Sequence, residues 1–125
     1  MKSHRTITFI FFMFILLSAG YCQIESLSTD EASNHLGEIK SVYGVVVSTH
    51  YNEKTPNSPI FLNLDKAYPE HIFTIFIVAA ARDSFDWFPE IYYLNKKISV
   101  TGLISEFKGN PEIVVNSPSQ IKLIP

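Results

Sequence analysis

Two segments almost sixty residues apart share one pattern, and it constrains the fold more than anything else in the chain. Val42-Tyr43-Gly44-Val45-Val46 and Val100-Thr101-Gly102-Leu103-Ile104 each set a glycine in the middle of a β-branched, alternating run. Strand interiors tolerate glycine poorly unless the sheet must bend sharply, bulge, or let another backbone approach closely. Two such strands in a short chain imply a small, strongly bent sheet that closes on itself as a barrel.

The first residues read as a leader. Lys2, His4 and Arg5 form a basic start, Ile7 to Leu17 is a near-unbroken apolar run, and Ser18, Ala19 and Gly20 follow as small residues. This is the tripartite layout of a secretory signal peptide, and the run is well short of the roughly 20 residues a membrane span needs. The expected division is a signal peptide over residues 1–22 and a single domain over residues 23–125, exported to a periplasmic or extracellular space, with no transmembrane segment after cleavage. Cleavage after Cys22 would leave Gln23 first. Cys22 itself raises the alternative of lipidation, although the bulky Tyr21 before it does not suit that processing.

On this division the single Cys and both Met leave with the leader, so no disulfide can staple the domain in its oxidising compartment. An apolar core must hold it, and a chain of this size buries roughly 60–65% of its unfolded surface. The leader also takes two of the 10 basic side chains and none of the 12 acidic ones, leaving a net charge of about −4. A tight duplex-DNA binder is normally basic, because phosphate neutralisation supplies most of its affinity. The acidic balance therefore argues against that class.

Along the domain, Ser28 and Glu31 have capping-box spacing, Asp30 and Glu31 suit a first helical turn, and Gly37 suits a stop, which predicts a short helix over 29–36. A first strand follows from Glu38 to Tyr51, then a turn cluster from Asn52 to Pro59. The second strand is read over 60–65 and the third over 72–79, with Phe73, Ile75 and Ile77 inward against Thr74 and Phe76 outward. Asp83, Ser84 and Asp86 suit the start of a short helix carrying Phe85, Trp87 and Phe88. The fourth strand is read over 97–107 and the fifth over 112–116, joined by a tight turn at 108–111, with Ile121 and Leu123 as closing core contacts. Helix, three strands, short helix, hairpin: apart from the leading helix, this is the order of a five-stranded OB-fold barrel, an all-β class with a helix plugging one end between strands three and four.

The stretch Val100-x-Gly102-x-Ile104, then Phe107-x-Gly109-x-Pro111-x-Ile113-x-Val115, then Ser117-Pro118-Ser119-Gln120-Ile121 resembles the last two strands of bacterial OB-fold domains of the nucleic-acid-binding superfamily. That group includes domains attached to exported nucleases and the anticodon-binding type. The first half is similar as well, through Val42-x-Gly44-x-Val46, Ser48 to Tyr51, Phe61 to Leu64, and Tyr68-Pro69 before Phe73-Thr74. Phe107 stands where these domains usually carry an aromatic. The resemblance implies nucleic-acid binding as the default function; because one fold hosts many functions, that implication is analogy.

OB barrels bind mainly on the outer face of strands two and three and on the adjoining loops. Single-stranded nucleic acid needs exposed aromatics for stacking and cations along the backbone path. The candidate binding residues are Tyr51, Phe61 and Phe76 for stacking, Asn63 for base edges, and Lys54, Lys66, Arg82 and Lys108 for phosphates. For each there is a plainer reading: the aromatics as core or strand-end packing, the lysines as solubility residues. Among Phe85 to Tyr93, Phe85, Phe88 and Tyr92 are expected to plug the barrel, leaving Trp87 and Tyr93 as the exposed pair.

No metal or cofactor is expected, since His35, His50 and His71 share no helical spacing and no Cys pair or HExxH motif occurs. No nucleophile elbow holds a serine, and Arg82 is the domain's one arginine, too few for a phosphodiester clamp. The chain is therefore expected to be non-enzymatic. The leading expectation is an exported module that binds single-stranded nucleic acid, or another polyanion, weakly and without sequence specificity. The alternative is an envelope module that contacts a protein or glycan through the same barrel face.

Overall fold

Seven strands, numbered in chain order, carry the architecture of the computed structural model, which describes residues 23–125: β1 (Ser26–Ser28), β2 (Ile39–Tyr51), β3 (Ile60–Leu64), β4 (Thr74–Ile77), β5 (Lys97–Phe107), β6 (Asn110–Val115) and β7 (Ile121–Leu123). The leader assigned to residues 1–22, Cys22 included, lies outside the described residues. Strands β2 to β6 are the five expected ones. They pair in the order β2-β3-β4-β6-β5, and β5 returns to β2, so the sheet closes. Only the β4–β6 pairing within this ring is parallel. This is a closed, all-β OB-type barrel. Among the described residues, no helix is long and apolar enough to cross a membrane.

The long strand β2 serves both halves of the barrel. Ile39 to Val45 pair with β5, and Val46 to Tyr51 pair with β3, with a register shift between Val46 and Ser48. The bulge therefore sits at Val47, three residues past Gly44. Gly44 answers instead to close approach: an added Cβ would stand 2.9 Å from both carboxylate oxygens of Asp65. Gly102 is likewise crowded, its virtual Cβ lying 2.7 Å from Ile113 Cγ2. Both glycines lie inside strands, as expected, and each is required by what packs on it.

The core follows from strand alternation. Val42 and Val46 of β2, Leu62 of β3, Phe73 ahead of β4, Ile75 and Ile77 of β4, Ile98, Val100 and Ile104 of β5, and Ile113 and Val115 of β6 are fully buried. Each such side chain contributes about 1.5–3 kcal/mol by leaving water. Lys108 and Gly109 both adopt positive φ, the backbone of a two-residue hairpin turn, so β6 begins at Asn110, earlier than expected.

Several local expectations change. The expected N-terminal helix is a 3-10 helix, Thr29–His35, and Ser28 does not cap its backbone. The Ser28 hydroxyl instead donates to the Asp30 and Glu31 carboxylates. Between β4 and β5, a 3-10 helix, Ala79–Ser84, precedes a single α-helical turn, Pro89–Tyr92, with Pro89 at its start. Tyr93, expected outside, is only 7% exposed, whereas Phe88, expected inside, is 58% exposed. Ile121 is buried, but Leu123 is half exposed on the short strand β7.

Candidate functional site

The outer face of β2, β3, β4 and β6 is organised in two cross-strand rows. Residues that alternate with buried Leu62, Ile75 and Ile113 point outward. Register places His50, Phe61, Phe76 and Val114 side by side in one row. Its aromatic part is continuous: the His50 and Phe61 rings are 6.1 Å apart, and Phe61 meets Phe76 edge to face at 5.3 Å. Phe61 and Phe76 are both half-buried. They present ring surface at the centre of the face on which barrels of this class bind ligands.

The second row, two residues along, is polar: Ser48, Asn63, Thr74, Glu112 and Ser105. Thr74 Oγ1 donates to Asn63 Oδ1 at 2.9 Å, and Asn63 Nδ2 donates to Ser48 Oγ at 3.0 Å. Asn63 and Thr74 are each only 7% exposed. Beside them, Glu112 is half-buried, and burial alone pushes its carboxyl above the ordinary glutamate value. Like charge or desolvation each disfavours an ionised carboxyl, and here desolvation acts without a cation to oppose it.

Beyond this row the β3–β4 loop meets the β5–β6 hairpin. Tyr68, 74% exposed, stacks on His71 at 5.3 Å, and His71 Nε2 lies 3.4 Å from Asn110 Nδ2. Asn110 pairs with Phe107, which is exposed and has the Lys108 ammonium 5.4 Å from its ring. Lys66 is exposed at the start of the same β3–β4 loop. Exposed rings and cations thus collect at this end of the face.

The structure separates the candidate residues. Phe61 and Phe76 lie together on the outer face, and Lys66 and Lys108 are exposed at its loop end. Tyr51 is not on that face. It pairs with Ile60, packs against the core, and has the Arg82 guanidinium 4.0 Å from its ring centroid. Arg82 is not a free phosphate ligand either. Its other flank lies 4.4 Å from the Phe88 ring, and its Nη2 donates to Glu90 Oε1 at 2.6 Å. The hydrogen bond to Glu90 raises the guanidinium pKa further above its ordinary value. Arg82 therefore ties the plug to the barrel end, its charge spent on Glu90 and on two aromatic faces. Asn63 is only 7% exposed, and its amide donates to Ser48 and accepts from Thr74. Lys54 is exposed in the β2–β3 loop, at the opposite end from Lys108.

Glu112 and Tyr68 were not singled out by sequence. The alternation of β6 marks Glu112 as outward, but only the β4–β6 register brings it to Thr74. Tyr68 sits in a loop whose course no periodicity describes. Among the described residues, no group of three or more His, Cys, Asp or Glu side chains could hold a metal ion.

No protein-family model matches this chain, and no curated protein matches it by sequence. Among solved structures, the chain is similar to one described as an aspartyl-tRNA synthetase of Leishmania major Friedlin, at 10% identity and a TM-score of 0.48. The similarity covers 85% of this chain but 22% of the other, so this chain spans about a fifth of that protein's length. A likeness at that level carries no functional argument. The barrel topology and the outer-face geometry stand on their own.

Proposed function

We propose that this chain is an exported, non-catalytic OB-fold binding module that takes single-stranded nucleic acid weakly across the outer face of β3 and β4, without requiring a fixed sequence motif. The observation that supports it is the half-exposed Phe61–Phe76 pair at the centre of that face. Stacking contributes about 1–3 kcal/mol per engaged base. Tyr68 and Phe107 extend the stacking surface toward the loop end, where Lys66 and Lys108 are available to phosphates. The domain's acidic balance and the charge on Glu112 keep the affinity low.

The test is fluorescence anisotropy of a labelled single strand over a salt titration. Affinity should fall with salt by about 0.7 log units per log unit for each phosphate contact. Lys66→Ala with Lys108→Ala should flatten that slope without lowering the thermal midpoint, because both side chains are exposed. Absence of binding at low salt overturns the reading.

One observation favours a second reading, a protein partner at the plug. Trp87, Phe88 and Ile91 are 67%, 58% and 70% exposed within five residues of one another. Apolar surface of this kind marks interaction sites. Binding of a single strand that survives Trp87→Ala and Ile91→Ser unchanged would assign the two surfaces to different partners.

A further inference from the structure

We propose that Glu112 makes the outer face favour nucleobases that present an amino group, cytosine in particular, over thymine; the inference rests on the nucleic-acid reading above and names what that site prefers. In the polar row, Asn63 and Thr74 are bonded to each other and Asn63 to Ser48, so they have little left to offer a ligand. Glu112 is different. It is the neighbour of Thr74 across β4–β6 and of Ser105 across β5–β6, and the one contact from Ser105 is made to its backbone carbonyl at 3.4 Å. Among the described residues, no side-chain hydrogen bond or ion pair engages its carboxylate.

An ionised carboxylate is acceptor-only, so it must be met by a donor. Phe76 stands one row away, two residues along β4 from Thr74, the partner of Glu112. Rows on one face are separated by about 7 Å along the strand, a span that a pyrimidine stacked on Phe76 covers together with one hydrogen bond. Cytosine presents its N4 amino group there, the donor that glutamate ordinarily accepts. Thymine places its O4 acceptor at that position, which a carboxylate repels, and has only the single N3–H beside it to donate. A half-buried carboxylate also bars phosphate oxygens from this row, which orients the strand with bases over Phe76 and its backbone toward Lys66 and Lys108.

The experiment compares oligo-dC and oligo-dT of equal length, at neutral pH and one fixed low salt, on the wild-type chain and on Glu112→Gln. The wild type should bind oligo-dC about five- to tenfold more tightly, the lower range of base discrimination by a polar side chain. In Glu112→Gln, whose amide both donates and accepts, the ratio should fall to about one, chiefly through tighter binding of oligo-dT. A thermal midpoint at or above that of the wild type shows that the variant is folded. Equal binding of both strands by the wild type, or a ratio that survives Glu112→Gln, overturns base selection while leaving the binding module intact. Failure of the wild type to bind either strand overturns the nucleic-acid reading and this inference with it.

Discussion

The carboxylate of Asp65 occupies the space a side chain at Gly44 would need. One oxygen accepts the Val45 N–H at 2.9 Å, and the other accepts the Thr29 hydroxyl at 2.6 Å. Asp65 itself holds φ of 67°, at the exit of β3. One side chain thus pins the N-terminal 3-10 helix, the midpoint of β2 and the end of β3. Gly44→Ala would place a methyl 2.9 Å from both oxygens and expel them. The expected loss is about 1 kcal/mol, the net worth of hydrogen bonds whose carboxylate is solvent-exposed, with the buried Thr29 hydroxyl as the group that loses most. Asp65→Ala combined with Gly44→Ala should cost less than the two single losses added, because the clash goes with the carboxylate. Denaturant unfolding of the four proteins checks this.

Gly102 makes the matching case on the other glycine-bearing strand. Its β-carbon would meet Ile113 Cγ2 at 2.7 Å, inside the core. Gly102→Ala should destabilise by about 1–3 kcal/mol, the usual cost of overpacking. Ile113→Ala should rescue part of that loss, and urea midpoints of the single and double variants measure the rescue.

Arg82 and Glu90 test whether the plug is held by charge. Their side chains are 19% and 12% exposed, so removing either leaves the other largely buried and unmatched. Arg82→Ala should therefore destabilise more than Arg82→Ala with Glu90→Gln together. Tyr51→Ala should lower the thermal midpoint and leave oligonucleotide affinity unchanged, since its ring covers Arg82 rather than the outer face. A Tyr51→Ala chain that keeps its midpoint and loses binding would return Tyr51 to the site.

Glu112 gives stability a pH dependence of defined sign. Burial raises its carboxyl above the ordinary value of 4.5, so folding favours the protonated form. Its contribution is fully present below the unfolded value and is lost as pH rises through the folded one. Glu112→Gln should therefore be more stable than the wild type at neutral pH, with the gap closing in acid below about 4.5. Thermal midpoints across that range read the effect directly.

The barrel was legible because its signals are local. Gly44 and Gly102 inside alternating runs, the Asn52–Pro59 turn cluster and the Lys108-Gly109 hairpin mark strands and joints without reference to the rest of the chain. β1 and β7 escaped notice because three-residue strands carry too little periodicity. The site was harder to read, since a side chain's role there depends on register and on irregular segments. Asn63 looks available until the bulge at Val47 brings Ser48 opposite it. Arg82 looks like a free cation until the turn at Pro89 delivers Glu90. Phe76 could be placed outward because alternation along its strand decides which way it points.

The division of β2 between two partners has one more outcome. Because this strand is hydrogen-bonded to β1 and β5 along its first half and to β3 along its second, melting either side of the cylinder strips β2 of part of its ladder, and the two sides are expected to open together. Amide exchange from Val42, Val46 and Leu62 should therefore proceed only through whole-molecule opening, at a common free energy. A ligand seated on the outer wall would then slow exchange at the far wall equally, with no conformational signal passing between them.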